Sequence, residues 1–432
     1  MPIRLDARAA DFAARFTDFV NARRESDADV SQAVSAIIAQ VRAQGDAALV
    51  DYSQRFDRID LKALGLRITA AEIKAARAHV DADVLAALEL AAARIRHFHE
   101  SQRPSDHDAT DAAGVRAGWR WRALDAAGLY VPGGLASYPS SVLMNAIPAK
   151  VAGVGRLAMV TPTPDGRLNP LVLVAADIAG VDEVYRVGGA QAIAALAFGT
   201  ETIAAVDKIV GPGNAYVAEA KRQLYGVVGI DMVAGPSEIL VVADKHSDPR
   251  WLAADLLSQA EHDATAQAIL ITDDATLADR TAQAVEAWLA EISTAKTARQ
   301  SWDDYGALIV VENLADSVAL IDRLAPEHLA LSIDHPEALL AQVRHAGSVF
   351  LGRHTPEAIG DYVGGPNHVL PTGRRARFSS GLSVADFMKR TTFLECSDAG
   401  LAAVGPAAVA LAQAEGLEAH AQSVRVRLGK KA

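Results

Sequence analysis

Length, composition and charge limit what the chain can be. It has 432 residues, of which 50% are hydrophobic and 22% charged, a composition typical of soluble globular proteins long enough for two or more domains. Lys and Arg number 42 against 53 Asp and Glu, so the net charge is −11. Because this charge repels a phosphate backbone and the sequence contains no basic patch, nucleic acid is excluded as an expected partner.

We expect the chain to work in the cytoplasm. Residues 1–6 have no apolar stretch after a basic one, which predicts no secretory signal, and no run of roughly 18 apolar residues predicts a membrane span. The only cysteine, Cys396, can form neither an internal disulfide nor a thiolate metal cage, which suits a reducing compartment. A nucleophilic role for Cys396 is disfavoured by the neighbouring Glu395 and Asp398, so a merely tolerated thiol is preferred.

The first quarter of the chain has the periodicity of helices. Within residues 30–41 and 84–90, apolar side chains recur at spacings of three and four, as on one face of a helix. The polar stretch 101–113 breaks the pattern and is interpreted as a linker. Residues 1–122 are therefore predicted to form a helical N-terminal region.

From residue 124 the pattern changes to short apolar runs, each ended by a glycine or proline turn and most followed by a helix-like stretch. Such repetition predicts parallel βα units with helices on both faces of a sheet. A first α/β domain is predicted for residues 123–238 and a second for residues 239–382, joined near Gly235-Pro236-Ser237. The predicted strands are 128–131, 157–160, 183–187 and 208–210 in the first domain, and 238–242, 268–271, 307–311 and 348–351 in the second.

The end of the chain, residues 383–432, is predicted to be a helical tail. Residues 407–414 and 418–428 are the clearest helical segments, and Gly416 separates them. The predicted fold class is thus α/β, with two doubly wound, incomplete Rossmann-like domains between a helical N-terminal segment and a helical C-terminal tail.

Three glycine turns follow predicted strands of the first domain: Pro132-Gly133-Gly134, Gly188-Gly189 and Gly211-Pro212-Gly213. Ligands of open α/β sheets bind at the carboxyl ends of strands, and a helix that starts there can hold a phosphate. None of the turns has the spacing Gly-x-Gly-x-x-Gly. Taken alone, they fit nucleotide binding and a purely structural role equally well.

Two pairs of polar residues in the second domain suggest chemistry. Gln259 and His262, three residues apart in a predicted helix, can converge on one point, and histidine is a common zinc ligand; a solvated helix face is the alternative. Glu327 and His328 lie between apolar runs and suit acid–base catalysis near neutral pH. Their alternative is a glutamate at a helix start with a chance histidine neighbour.

Two further segments carry carboxylates and imidazoles. Residues 360–368 form a predicted glycine-rich loop with Asp361 and His368, a density of special residues that favours function. Glu415 and His420 flank Gly416 in the tail. On one straight helix they would diverge by about 140°, but the glycine break removes that restriction. This pair is a weak signal by itself.

From about Tyr130 to the C-terminus the chain resembles the histidinol dehydrogenase family. The first hundred residues match that family only in helical character. The segments that carry the resemblance are Val206-Asp207-Lys208-Ile209-Val210-Gly211-Pro212-Gly213-Asn214, Ile230-Asp231-Met232 with Ala234-Gly235-Pro236-Ser237-Glu238, Gln259-Ala260-Glu261-His262, Pro326-Glu327-His328-Leu329, Asn367-His368-Val369-Leu370-Pro371-Thr372 and Glu415-Gly416-Leu417-Glu418-Ala419-His420.

The resemblance implies an activity, a site and an assembly. The activity is the NAD-dependent four-electron oxidation of L-histidinol through histidinal to L-histidine, with one zinc ion per subunit. The first α/β domain would bind NAD, and the second would carry the catalytic pair Glu327 and His328. The implied contacts are Tyr130, Gln191 and Asn214 for NAD; Gln259, His262, Asp361 and His420 for zinc; and Ser237, Gln259, His262, His328, Asp361, Glu415, His420 and, less directly, His368 for substrate. Members of the family are homodimers, which would supply Glu415 and His420 in trans.

The implied zinc shell has a chemical rationale. Two imidazoles, one carboxylate and one amide oxygen leave coordination positions open, which the imidazole and amine of the substrate could fill. His328 would exchange protons with the alcohol, and Glu327 would activate water. Three alternatives are a relative of the same fold that oxidises another polar alcohol, a metal-dependent hydrolase with Glu327 as base, and a non-catalytic scaffold.

Overall fold

The computed structural model describes residues 1–22, 30–133 and 138–429. Gly134 of the first predicted glycine turn, and the part of the helical N-terminal prediction that falls on residues 23–29, lie outside them. The strands are β1 (Ile3–Asp6), β2 (His107–Thr110), β3 (Val115–Ala123), β4 (Ala126–Tyr130), β5 (Arg156–Thr161), β6 (Glu183–Arg186), β7 (Lys208–Val210), β8 (Gly229–Ile230), β9 (Glu238–Ala243), β10 (Gln267–Thr272), β11 (Ala307–Val310), β12 (His328–Ser332), β13 (Ser348–Leu351) and β14 (Met388–Cys396).

Helices occupy most of the sequence between these strands. They are α1 (Phe12–Asn21), α2 (Ser31–Gln44), α3 (Asp46–Asp57), α4 (Leu61–Leu64), α5 (Ala70–Ala76), α6 (Ala82–Glu100), α7 (Pro139–Ala152), α8 (Pro170–Ala179), α9 (Gly189–Phe198), α10 (Ala215–Leu224), α11 (Pro249–Ala260), α12 (Ala275–Leu289), α13 (Ala295–Tyr305), α14 (Ser317–Leu324), α15 (Pro336–Leu340), α16 (Glu357–Tyr362), α17 (Asp398–Ala414) and α18 (Glu418–Arg425). No helix among the described residues is both long and apolar enough to cross a membrane.

The first sheet has five parallel strands in the order β6-β5-β4-β7-β8. Every residue of β4 is buried, as expected for strands covered by helices on both faces. One face packs against α6, α7 and α8, and the other against α2, α3, α9 and α10. All four strands predicted for this part of the chain are present. The two-residue strand β8 was too short to leave a sequence signal.

The second sheet has six parallel strands in the order β1-β11-β10-β9-β12-β13. Helices α11, α12 and α13 cover one face, and α1, α14 and α15 cover the other. The two sheets confirm the predicted doubly wound α/β class. The edge strand β1 was not predicted, because its four residues precede a long helical pattern and only Leu5 among them is buried.

A third sheet is antiparallel, in the order β14-β3-β2, and corrects the prediction for both ends of the chain. The segment 101–113, interpreted as a linker, contains β2, and the tail predicted as helical contains β14. Every residue of β2 is exposed, and β14 has no buried residue. Their sequences therefore lack the alternation of buried and exposed residues that identifies a strand.

The tail helices α17 and α18 pack mainly against each other and against β14. Between them they bury only Gly400, Gly405 and Ala421. Apolar side chains such as Leu411 and Leu417 are exposed, at 65% and 44% respectively. The tail thus presents an apolar surface that its own chain leaves uncovered.

The N-terminal strand should be integral to the second sheet. Replacing Leu5, which is 3% exposed, with Ala removes apolar contacts from the core under α1. We expect Leu5→Ala to lower the free energy of unfolding by about 2–5 kcal/mol. The exposed neighbour Arg4, which pairs with Asp279 at 2.5 Å, provides the control: Arg4→Ala should cost about 1 kcal/mol or less. Equal effects in urea unfolding curves would contradict a structural role for β1.

Candidate active site

The polar residues of the second sheet meet at the amino ends of its strands. Ser237 and Glu238 stand at the start of β9, and Glu327 and His328 at the start of the neighbouring β12. A helix that follows a parallel strand runs back towards the amino edge, so α11 and α16 bring their C-terminal ends to the same place. This differs from the expectation that ligands of open α/β sheets bind at the carboxyl ends of the strands.

A backbone hydrogen bond fixes the orientation of the His328 imidazole. Its Nδ1 lies 3.1 Å from the carbonyl oxygen of Glu238, and because a carbonyl can only accept, Nδ1 carries the proton. Nε2 is buried and has no hydrogen-bond partner among the described residues. Burial, with smaller effects of His368 and His262, lowers the pKa of His328 to about 3. His328 is therefore neutral near pH 7, with a free lone pair on Nε2.

Glu327 and Glu238 form reciprocal hydrogen bonds between the two strands. The Oε2 atom of Glu327 accepts a hydrogen bond from the backbone N–H of Glu238 at 2.9 Å, and Oε2 of Glu238 accepts from the N–H of Glu327 at 3.3 Å. Both side chains are buried. These two hydrogen bonds hold the Glu327 carboxylate 3.8 Å from Nδ1 of His328. The structure thus brings Glu327 and His328 together at the start of a strand, not at the helix start of the alternative interpretation.

Gln259 and His262 also converge, although only Gln259 is helical. His262 lies two residues beyond the end of α11, in a turn, which corrects the prediction of one helical stretch. Nε2 of Gln259 and Nδ1 of His262 are 3.3 Å apart. The Oε1 atom of Gln259 is buried without a hydrogen-bond partner in the described structure. Because leaving a buried oxygen unpaired costs free energy, this atom is suited to coordinate a cation or to accept a hydrogen bond from a ligand.

Asp361 lies in the short helix α16, not in the predicted glycine-rich loop. Its Oδ1 atom is 3.8 Å from Nε2 of His328, and burial raises its pKa to about 6. One turn earlier on α16 is Glu357, which is 1% exposed and places Oε1 3.5 Å from Nδ1 of His328. His328, Glu357 and Asp361 form a group whose potential ligand atoms all lie within 4.8 Å of one another.

Sequence reasoning missed Glu357. Burial, and then the charges of Asp361, Glu327 and Asp255, raise its pKa well above the ordinary value. Its Oε2 atom is buried without a hydrogen-bond partner in the described structure. The four-residue spacing from Asp361 would have placed the two carboxylates on one helix face, had the segment been recognised as helical.

His368 completes the cluster from the segment after α16. Its Nδ1–H donates to the carbonyl oxygen of Asp361 at 3.0 Å, and Oγ of Ser141 lies 3.5 Å from its Nε2. Burial lowers its pKa to about 4. His328, Asp361 and His368 line a cavity of about 260 Å³, which is large enough to admit part of a small polar molecule.

The three predicted cofactor residues follow strands of the first sheet. Tyr130 ends β4, and its hydroxyl accepts a hydrogen bond from the N–H of Gly189 at 3.1 Å. Burial raises the pKa of Tyr130 to about 12. Gln191 is buried in the first turn of α9, beside Gly189. Asn214 is exposed and caps α10, where its Oδ1 accepts from the N–H groups of Tyr216 and Val217.

The remaining predicted residues stand apart from this cluster or at its border. Ser237 is partly buried next to Glu238. Glu415 and His420 are exposed on the tail, and no hydrogen bond or ion pair among the described residues joins them to Gln259, His262 or Asp361. Within a single chain, the tail and the cluster are separate.

The fold and the site together define an α/β enzyme with a buried histidine–carboxylate pair, next to oxygen and nitrogen donors suited to a metal ion. A family model described as histidinol dehydrogenase matches residues 20–428. The chain is 64% identical over 430 residues to the histidinol dehydrogenase of Zymomonas mobilis, with 100% of both chains covered. It is 63% identical to that of Rhodospirillum rubrum, covering 100% of this chain and 99% of the relative.

Structural comparison agrees. The crystal structure of histidinol dehydrogenase from Elizabethkingia anophelis matches with a TM-score of 0.95 at 37% identity, covering 99% of this chain and 98% of that one. The chain belongs to the histidinol dehydrogenase family, and it is an oxidoreductase of histidine biosynthesis.

Burial of His368 should make stability depend on pH. Its pKa falls from an ordinary value of 6.5 to about 4 on folding, so between these values the unfolded chain binds a proton that the folded chain does not. Stability is then lost as pH falls from about 6.5 to about 4, by at most about 1.4 kcal/mol per pH unit. His368→Asn retains an N–H donor without the titration, and its melting temperature should fall less between about pH 7 and pH 5. Equal losses would contradict this origin.

Proposed function

We propose that the protein oxidises L-histidinol through histidinal to L-histidine, with two molecules of NAD as oxidant and one zinc ion per subunit. The observation that carries the proposal is the neutral His328, whose unpartnered Nε2 lies 3.8 Å from Oδ1 of Asp361 and whose Nδ1 lies 3.8 Å from Oε2 of Glu327. Family membership supports the choice of substrate. The single cysteine supports a cytoplasmic location.

Zinc fits the donor set at the site. Gln259, His262 and Asp361 would bind it from one chain and His420 from a second, which gives nitrogen and oxygen ligands without sulfur. The buried, unpaired Oε1 of Gln259 is the observation that favours a cation here. When bound, zinc would hold the imidazole and amine of histidinol and orient the alcohol carbon. Glu357 and His328 are close to Asp361, and we assign them to the surroundings of the metal rather than to its ligands.

NAD fits the carboxyl edge of the first sheet. Tyr130, Gln191 and Asn214 would contact it, close to the N-termini of α9 and α10, whose dipoles favour a phosphate. NAD supplies the electron sink, accepting one hydride from carbon in each oxidation.

The two oxidations use His328 and Glu327 differently. In the first, Nε2 of His328 takes the hydroxyl proton as hydride leaves the carbinol carbon, which gives the aldehyde. In the second, the Glu327 carboxylate takes a proton from water, whose oxygen attacks the aldehyde carbon, and protonated His328 returns its proton to the aldehyde oxygen, which gives the hydrate. His328, neutral again, then accepts a hydroxyl proton of the hydrate as the second hydride leaves. The product is the carboxylic acid, which loses its proton to give the carboxylate, and the protons held by Glu327 and His328 pass to solvent.

We further propose a homodimer in which the tail of each chain completes the site of the other. Glu415 and His420 are exposed in their own chain, and no hydrogen bond or ion pair within the described residues joins them to its cluster of site residues. The apolar surface around Leu411 and Leu417 is of the kind that a second subunit buries. Glu415 would then contact substrate, and His420 both substrate and zinc.

Substitution of the two catalytic residues should separate the two oxidations. Glu327→Gln should slow oxidation of added histidinal more than oxidation of histidinol to the aldehyde, because only the former needs an activated water. His328→Asn, which keeps a donor to the Glu238 carbonyl, should slow both by on the order of 10²–10⁴. Rates of NADH formation from each substrate measure the difference. The division of roles is wrong if Glu327→Gln slows both equally.

Mixing two inactive variants should restore activity if the tail crosses between subunits. His420→Ala and His262→Ala chains, denatured together and refolded, give mixed dimers in about half of the cases, and each mixed dimer has one intact site. About a quarter of wild-type activity should return, and bound zinc should rise with it. The absence of recovery, once subunit exchange is verified by mass, would mean that each tail serves its own chain.

A further inference from the structure

The first sheet has the strand order of a dinucleotide-binding fold, but it lacks the acidic residue that such folds carry at the end of the second strand. Numbered from its first strand in the chain, the order β6-β5-β4-β7-β8 is 3-2-1-4-5. In such folds a carboxylate near the end of the second strand binds the adenosine ribose and selects NAD over NADP. Here the second strand is β5, and its sequence RLAMVT, continued by Pro162 and Thr163, contains no acidic residue.

A carboxylate from another part of the chain lies at that place. Asp57, the last residue of α3, lies close to the segment directly after β5: the backbone of Thr163 there lowers its carboxyl pKa, and the adjacent Arg58 pairs with Asp165 of the same segment. It is also close enough for its charge to raise the pKa of Tyr130, at the end of the adjacent strand β4. Asp57 is partly buried, and this burial raises its own pKa.

The surroundings of Asp57 are suited to a hydroxyl ligand. The neighbouring Arg58 forms a bidentate salt bridge with Asp165, with N–O distances of 2.7 and 2.8 Å. Asp57 itself forms no ion pair in the described part of the chain. Thr161 and Thr163 are each 1% exposed, and their hydroxyl oxygens lack hydrogen-bond partners within the described residues. A half-buried acceptor thus lies close to Thr163, at the end of a segment with two unpaired buried hydroxyls.

The same segment touches the candidate NAD turn. Pro162 packs so closely against Gly188 that a Cβ at Gly188 would overlap the proline ring. Gly188 immediately precedes α9, whose N-terminus contains Gln191. Asp57 and Thr163 therefore border the residues proposed to hold the cofactor.

We propose that Asp57 takes the role of the absent strand-end carboxylate, accepting a hydrogen bond from the 2′-hydroxyl of the adenosine ribose of NAD and repelling the 2′-phosphate of NADP. This inference rests on the proposed use of a nicotinamide dinucleotide. It assigns cofactor selection to the N-terminal helical region, for which the residue pattern alone indicates no function.

Binding of NADH and NADPH without the alcohol tests the proposal, with the fluorescence of the reduced nicotinamide as readout. The wild-type protein should bind NADH more tightly. Asp57→Asn, which removes the charge but little volume, should reduce the ratio of the two affinities about tenfold or more, since hydrogen bonds to charged groups contribute about 1.5–3 kcal/mol. Asp57→Ala should do the same, which guards against an effect peculiar to one variant.

The matched control is Asp182→Asn. The Asp182 carboxylate accepts from the N–H of Leu157 at 2.7 Å, at the opposite end of the same strand β5. It should leave the ratio unchanged. If both Asp57 variants bind NADH with the wild-type ratio, Asp57 does not select the cofactor, although the cofactor proposal stands. If the wild-type protein binds neither nucleotide, the cofactor proposal and this inference both fail.

Discussion

The chemistry of the site depends on one hydrogen bond, from Nδ1–H of His328 to the carbonyl oxygen of Glu238. It joins the starts of two neighbouring parallel strands, β12 and β9, and it decides which imidazole nitrogen keeps its lone pair. Because the ring is buried, the neutral form is favoured, and Nε2 keeps a lone pair without a hydrogen-bond partner among the described residues. The reciprocal hydrogen bonds between Glu238 and Glu327 hold the second proton acceptor beside it.

In the proposed function, the two sheets use opposite ends of their strands. The first is proposed to offer the carboxyl ends of its strands, where the N-termini of α9 and α10 would favour the phosphates of a nucleotide. The second offers the amino ends, where α11 and α16 return with Gln259, Asp361 and Glu357. In the proposed function, a hydride would pass between a cofactor at the first edge and a substrate at the second. The unpaired buried atoms of Gln259, His328 and Glu357 concentrate at the second edge, where polar ligands would satisfy them.

The sequence allowed the two α/β sheets to be predicted because buried parallel strands such as β9 and β10 are continuous apolar runs. It did not reveal β2 or β14, which bury no residue and therefore follow no hydrophobic pattern. The predicted pairs Glu327–His328 and Gln259–His262 do converge in the structure. Glu357 escaped because its importance comes from burial and from neighbours such as Asp255 and Glu327, brought together only by folding. Domain limits and the remaining site assignments stay predictions.

The most direct test of the proposed mechanism is the ratio of NADH formed to histidine formed when purified protein, NAD and histidinol are mixed. Oxidation of an alcohol to a carboxylate at one site requires two hydride transfers, so about two NADH are expected per histidine, without accumulation of free histidinal. One NADH per histidinol consumed, with histidinal released, would contradict a single site in which His328 and Glu327 act in succession.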